Sequence, residues 1–313
     1  MDAERWLAER TYHHSAYDPA DLLRRKGGTT VSVVLPALNE ATTVGAVVRA
    51  FVPLRSSGLV DEIVVVDPGS TDGTDDAARE AGATVVYEAD ILAEQGRVPG
   101  KGEAMWKSLA ATTGDVVCWV DADIEEPGPE FVYGLLGPLL TDPSVQYVKG
   151  FYDRPLADRG RLRPTGGGRV TELVARPWLN LFWPDLSSVI QPLAGEQAGR
   201  RAWLESVPFA AHYGVEIGLL LDAYREFGLD GLAQVDLDRR IHRNQSVEKL
   251  GRMAFVIQHA ILRRLRAEGR ATFPDEPGRV LRQFRNVGTD YRVMSYELPL
   301  LDRPPLRTVN GPL

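Results

Sequence analysis

Two carboxylates stand one residue apart at the end of an apolar run, in Val117-Cys-Trp-Val-Asp-Ala-Asp123. Alternate side chains of a strand point the same way, so Asp121 and Asp123 can converge on one cation and on a diphosphate that it carries. A pair of solvated aspartates is the plainer reading of a bare D-x-D, and the hydrophobic strand ahead of it favours the metal. Arg97-Val-Pro-Gly-Lys-Gly-Glu103 places Lys101 between glycines at a helix start, where an ammonium reaches phosphate and the flanking glycines permit close approach of an anion. The spacing is not that of a P-loop, and a lysine on a flexible surface loop is the alternative.

Four further segments carry polar groups suited to binding. Val34-Leu-Pro-Ala-Leu-Asn-Glu40 opens a helix, and its backbone suits the flat edge of a base, with Glu40 as a hydrogen-bond acceptor and Asn39 as a helix cap. Asp67-Pro-Gly-Ser-Thr-Asp-Gly-Thr74 reads as a tight, capped loop. Pro164-Thr-Gly-Gly-Gly-Arg-Val-Thr171 sets Arg169 and Thr171 at a helix N-terminus beside exposed amides, a pattern that binds carboxylate or phosphate. Arg240-Ile-His-Arg-Asn244 adds His242, a structural histidine or a further metal ligand.

The elements that must position these groups alternate. Strands are predicted over 31–35, 62–67, 84–87 and 115–120, with helices over 40–51, 74–81 and 101–111 between them. Such alternation predicts right-handed crossovers and an α/β, Rossmann-like, mostly parallel sheet with helices on both faces. Ligands then bind beyond the carboxyl ends of the strands, where residues 36–40, 67–72 and 121–123 fall. Later helices are predicted over 170–176, 216–227 and 247–266. The expected division is an N-terminal arm (1–30), an α/β part (31–150), a less regular part (151–270) and an extended C-terminal stretch (271–313) lying on the body or on a partner subunit.

Composition narrows the class. The 313 residues are 44% hydrophobic and 25% charged, which suits a folded soluble protein and excludes disordered, collagen-like and membrane-spanning classes. A net charge of -7 provides no field for nucleic acid. Cys118 is the single cysteine, so no internal disulfide forms and a cytoplasmic location is expected. Neither a signal peptide nor a membrane span is predicted.

Taken together and in order, LPALNE, DPGSTDGT, PGKGEA, VDAD, TGGGRVTELVARP, YGVEIGLL and HRN resemble the glucosyl-3-phosphoglycerate synthases, retaining transferases of actinobacteria with the GT-A fold. The likeness covers residues 31 to 250, and it implies that 31–150 is the nucleotide-sugar-binding part and 151–270 the acceptor-binding part. It implies a hexosyltransferase that moves glucose from UDP-glucose to the C2 hydroxyl of 3-phosphoglycerate, releasing UDP, by front-side attack in which the donor's own phosphate takes the acceptor proton. By the resemblance, Pro36, Ala37, Leu38 and Glu40 hold uridine and Lys101 the donor. Asp121, Ala122 and Asp123 meet the ribose and the metal, and Tyr213 and Glu216 border the glucose. Asp123 and His242 ligate Mg2+ or Mn2+, while Gly168, Arg169, Thr171 and Asn244 grip phosphoglycerate. Catalysis falls to Glu216, Asp123 and Lys101, and the partners are these two substrates and a second copy in a homodimer, with no nucleic acid and no membrane.

Two departures bear on the donor. Pro68 stands where the family commonly has serine, which removes an amide and a hydroxyl. Gln245 follows Asn244 where a basic residue is usual. Another nucleotide sugar such as GDP-mannose, or another small anionic acceptor, is therefore the alternative.

Overall fold

The computed structural model of the chain describes residues 1–309 apart from 155, 159–160, 164–167, 241–244 and 299. Among these the strands are β1 (Thr11–His13), β2 (Val31–Pro36), β3 (Glu62–Asp67), β4 (Thr84–Tyr87), β5 (Val116–Trp119), β6 (Tyr147–Asp153), β7 (Leu156–Asp158), β8 (Arg161–Arg163), β9 (Gln197–Arg200), β10 (Phe209–Ala210), β11 (Leu232–Arg239), β12 (Val280–Val287), β13 (Asp290–Glu297) and β14 (Asp302–Arg303). The α-helices are α1 (Ala3–Glu9), α2 (Pro19–Lys26), α3 (Val44–Ser56), α4 (Thr74–Glu80), α5 (Lys101–Ala110), α6 (Glu130–Thr141), α7 (Arg176–Phe182), α8 (Arg201–Leu204), α9 (Val215–Phe227) and α10 (Val247–Ala267).

One eight-stranded sheet runs in the order β1-β11-β6-β9-β5-β2-β3-β4. Its neighbours are parallel except for β9, which is antiparallel to both β5 and β6. Side chains alternate across it, as the pleat requires. Val33, Leu35, Cys118 and Val120 join Phe51 and Leu136 on one face, whereas Val34, Val117 and Trp119 join Trp106 and Leu220 on the other. Both faces are covered, which is why β2, β3 and β5 read as continuous apolar runs.

The predicted parallel sheet and its first strands and helices are present, with local differences. The helix expected from residue 40 begins at Val44, because residues 40–43 form the turn that carries the pocket wall. Residues 171–175 form a wide π turn that continues into α7. The sheet also takes β1 from the arm and β6, β9 and β11 from beyond residue 146, which the alternation pattern did not bring out. The C-terminal stretch folds back as an antiparallel hairpin of β12 and β13. It then returns to the body, where β14 pairs with β10 and Arg303 grips the buried Glu103 through both carboxylate oxygens at 2.6 Å.

Candidate active site

The strand β5 ends inside the molecule and delivers Asp121 and Asp123 into a cavity of about 790 Å3. Arg240 Nη2 donates to Asp121 Oδ2 at 2.9 Å and to Asp123 Oδ1 at 2.6 Å, so both carboxylates face one cationic nitrogen. Arg240 is itself buried. Its Nη1 donates to the Tyr152 hydroxyl at 2.7 Å and lies 3.1 Å from the carboxylate of the fully buried Glu196, to which Tyr152 also donates. Gly195 must lack a side chain here, since a Cβ would sit 2.2 Å from Asp121 Oδ2.

Lys101 begins α5 and contacts Asp121 and, at 3.0 Å, Glu216 Oε1 from the first turn of α9. Burial opposes the charge on Lys101, but Asp121, Glu216 and Glu196 outweigh it and hold the ammonium well above its ordinary range. Burial likewise raises Asp121, and the charges of Lys101 and Arg240 overturn this and keep it ionised far below the usual carboxylate range. The glycines around Lys101 serve packing. A Cβ on Gly102 would lie 1.8 Å from the Ala210 carbonyl, so this glycine lets α5 close onto the backbone at 210–211 instead of opening a path for an anion. Behind the site, Lys149 donates to the Ala194 carbonyl at 2.5 Å and to Gln197 Oε1 at 3.2 Å. Burial pulls its ammonium down to about 7.

The ends of β2 and β3 form the opposite wall. Asn39 takes a left-handed conformation, φ 57°, and its amide donates to Ser70 Oγ while its side chain accepts from the Thr71 amide. The amides of Glu40 and Ala41 donate to Thr74 Oγ1 and Asp72 Oδ2. Two motifs that sequence separates are thereby one braced unit. Pro36, Ala37, Leu38 and Glu40 line the cavity with Pro68, whose carbonyl accepts from Arg97. At the far end Gly168, Arg169 and Thr171 line it too, and Arg169 Nη2 donates to the Gln245 carbonyl at 3.0 Å, across 76 residues.

Sequence and structure comparisons agree with this geometry. The profile of glycosyl transferase family 2 matches residues 32–203. A glucosyl-3-phosphoglycerate synthase from Mycolicibacterium smegmatis is 50% identical, over 97% of this chain and 98% of its own. The chain belongs to the glucosyl-3-phosphoglycerate synthase family. A solved member of that family, the Mycobacterium tuberculosis enzyme with Mn2+, UDP and phosphoglyceric acid, superposes with a TM-score of 0.85 at 45% identity, covering 95% of this chain and 98% of the other. The same enzyme has been solved with Mg2+ and UDP. A mannosyl-3-phosphoglycerate synthase from Rubrobacter xylanophilus superposes with a TM-score of 0.90 at 38% identity, covering 99% of both chains.

The family's fold thus gathers at one cavity every predicted site residue that the structure describes: Pro36, Ala37, Leu38, Glu40, Lys101, Asp121, Ala122, Asp123, Gly168, Arg169, Thr171, Tyr213 and Glu216. His242 and Asn244 lie outside the described residues. The sequence reading missed Arg240, Glu88, Arg97, Arg154 and His212 on the cavity wall. Arg240 had a signal, since it opens the segment that was singled out for its histidine. Glu88 had only its place after the third predicted strand. Burial, then the charge of Glu103, raises its carboxyl above the usual range.

Proposed function

We propose that the chain transfers glucose from UDP-glucose to the C2 hydroxyl of 3-phosphoglycerate with retention at the anomeric carbon. The observation that carries this reading is one cavity with three chemically distinct regions. A braced turn made of backbone groups suits the uracil and ribose. A cluster of Asp121, Asp123, Lys101 and Arg240 suits a diphosphate with its counterion, and Arg169 beside Thr171 suits a small acid. The volume lies within the usual range for ligand sites.

The donor set fits a divalent cation, because Asp121 and Asp123 already direct one oxygen each at a single cationic nitrogen. In this reading Asp123 and His242 hold Mn2+ or Mg2+, which neutralises diphosphate charge when bound. Lys101 adds a fixed positive charge on the leaving diphosphate, and Tyr213 and Glu216 orient the glucose. Glu216 is engaged by Lys101 at 3.0 Å, which weakens it as a nucleophile. The step then breaks the bond between the anomeric carbon and the phosphate oxygen and forms the bond to the acceptor oxygen. The acceptor proton passes to the leaving phosphate, and positioning with electrostatics supplies the rate. Gly168, Arg169, Thr171 and Asn244 bind phosphoglycerate.

GDP-mannose is the second reading for the donor, favoured by Pro68 at the nucleotide wall and by the likeness to a mannosyl synthase. Initial rates with UDP-glucose, GDP-glucose, UDP-mannose and GDP-mannose against 3-phosphoglycerate test the assignment. Fastest transfer from a guanosine or mannose donor would replace it, and no transfer to 3-phosphoglycerate from any donor would overturn the acceptor as well.

The four-part division of arm, donor part, acceptor part and extension is retained as a functional one. A homodimer is supported by the hairpin β12–β13, which exposes Val280, Phe284, Val287, Tyr291 and Val293. An isolated two-stranded hairpin is marginal, so a second copy packed on it would add the missing burial. A cytoplasmic location rests on the lone, buried Cys118. No helix among the described residues is long and apolar enough to cross a membrane.

A further inference from the structure

Away from the cavity, at the edge of the sheet, two consecutive histidines meet one aspartate. In a continuous strand His13 and His14 would face opposite ways. The chain instead leaves β1 at His13 and coils into a 3₁₀ turn from His14, which swings both imidazoles to one side, their ring centres 4.5 Å apart. On the neighbouring strand, His13 registers with Asp236, and β11 then departs from regular pairing between Asp236 and Arg239. Within that irregularity Asp238 sits at φ 63° with its amide donating to Asp236 Oδ1, and its two carboxylate oxygens lie 2.9 Å from His13 Nε2 and 2.7 Å from His14 Nε2. Irregularities of this kind re-aim a side chain.

We propose that His13, His14 and Asp238 form a second metal site, for a zinc-like transition ion. One ligand atom from each lies within 4.8 Å of the others. Roughly tetrahedral coordination with bonds of about 2.0–2.2 Å spaces ligand atoms about 3.4 Å apart, so an entering ion pushes each imidazole back from the carboxylate by roughly half an ångström or slightly more. The other nitrogen of each ring is already engaged: His14 Nδ1 with the Tyr133 hydroxyl at 2.9 Å, and His13 Nδ1 with Ser15 Oγ at 2.7 Å and with the Ser15 amide, which donates to it at 3.2 Å. Such outer partners orient metal-binding imidazoles, and binding at His13 Nε2 places its proton on Nδ1, donated to Ser15 Oγ in place of the bond from the Ser15 amide. His13 and Asp238 are 45% and 61% exposed at their side chains, so an ion reaches the site and water completes its coordination. Two imidazoles and one carboxylate suit zinc, cobalt or nickel and not magnesium, which prefers an all-oxygen shell. Asp238 precedes Arg240 by two residues, so an occupied site tethers the sheet edge to the strand end that supplies Arg240.

The test uses Co2+ as a visible probe on metal-stripped full-length protein, with UDP and Mg2+ in excess to fill the nucleotide cavity. The wild type should bind Co2+ with a d–d absorption band that His13→Ala and Asp238→Asn each weaken by about 10- to 100-fold or more in affinity. Zn2+ should raise the melting temperature of the wild type and of neither variant, while Mg2+-supported transfer stays unchanged in both. The replaced side chains are the two exposed ones, so folding is spared. Equal Co2+ binding and equal Zn2+ stabilisation in the wild type and both variants would overturn the site.

Discussion

Replacing Arg240 by methionine isolates the electrostatics that hold the site together. The side chain keeps much of its volume while its charge disappears. Glu196 then loses an ion pair at 3.1 Å in a position with no solvent exposure. Asp121 and Asp123 lose their shared donor, though Asp121 keeps Lys101. Breaking a buried pair from one side costs about 3–5 kcal/mol, because the surviving charge stays buried. Tyr152 still donates to Glu196, and Lys149 can regain a proton beside it, so the lower end of the range applies. Unfolding entropy of about 2.1 cal/mol/K per residue makes this roughly a 5 °C loss for a chain of 313 residues. Thermal unfolding of metal-free Arg240→Met against the wild type reads it directly. Adding Glu196→Gln to the variant should recover much of the loss, since the orphaned charge goes. Mn2+ should narrow the gap by supplying Asp121 and Asp123 with another cation. A melting point within about 1 °C of the wild type, or no recovery in the double variant, would refute the reasoning.

The pH dependence of Lys149 follows from its burial. In the unfolded chain it holds its proton to about 10.5 and in the folded chain only to about 7, so between these values the unfolded state binds more protons. Its burial penalty is therefore full below pH 7 and fades as pH rises, and the wild type should gain stability over Lys149→Met between pH 7 and 9, checked by melting temperatures across that range. Arg169→Ala should raise the KM for 3-phosphoglycerate by about 10- to 150-fold, the equivalent of one charge-assisted hydrogen bond, with little change in UDP affinity by calorimetry. Arg169→Lys should rescue only in part, because an ammonium lacks the planar fork. Thr171→Val should give a smaller defect of the same kind.

What the sequence determined alone is what short-range rules encode. The runs at 31–35, 62–67 and 116–119 needed only β-branched and apolar residues to declare buried parallel strands, and the ends of those strands fixed where ligands meet the sheet. Asp121 and Asp123 were legible because they follow a buried apolar strand with one small residue between them, although β5 ends at Trp119 and the turn beyond it, facing Arg240, brings their oxygens together. The wide turn at 171–175 and the late start of α3 were not legible, since periodicity does not distinguish a π turn or a bent entry from a regular helix.

Only the tertiary structure decided which distant groups share a charge. Gln197-Ala-Gly-Arg200 carries no β-branched residue, yet it fills the gap between β5 and β6, where both neighbours supply its backbone partners. Arg240 became the hub of the acidic cluster because β11 ends beside β6, which places it next to Tyr152, Glu196 and the tip of β5. Lys149 carries no signal of its own in the chain, and its lowered protonation comes from burial behind the site. Gly102 reads in sequence as a glycine that lets an anion approach and Gly195 carries no signal, whereas the structure needs both so that the Ala210 carbonyl and the Asp121 carboxylate can approach. Strand pairing and desolvation depend here on segments from 44 to 119 residues away, and no local pattern carries that information.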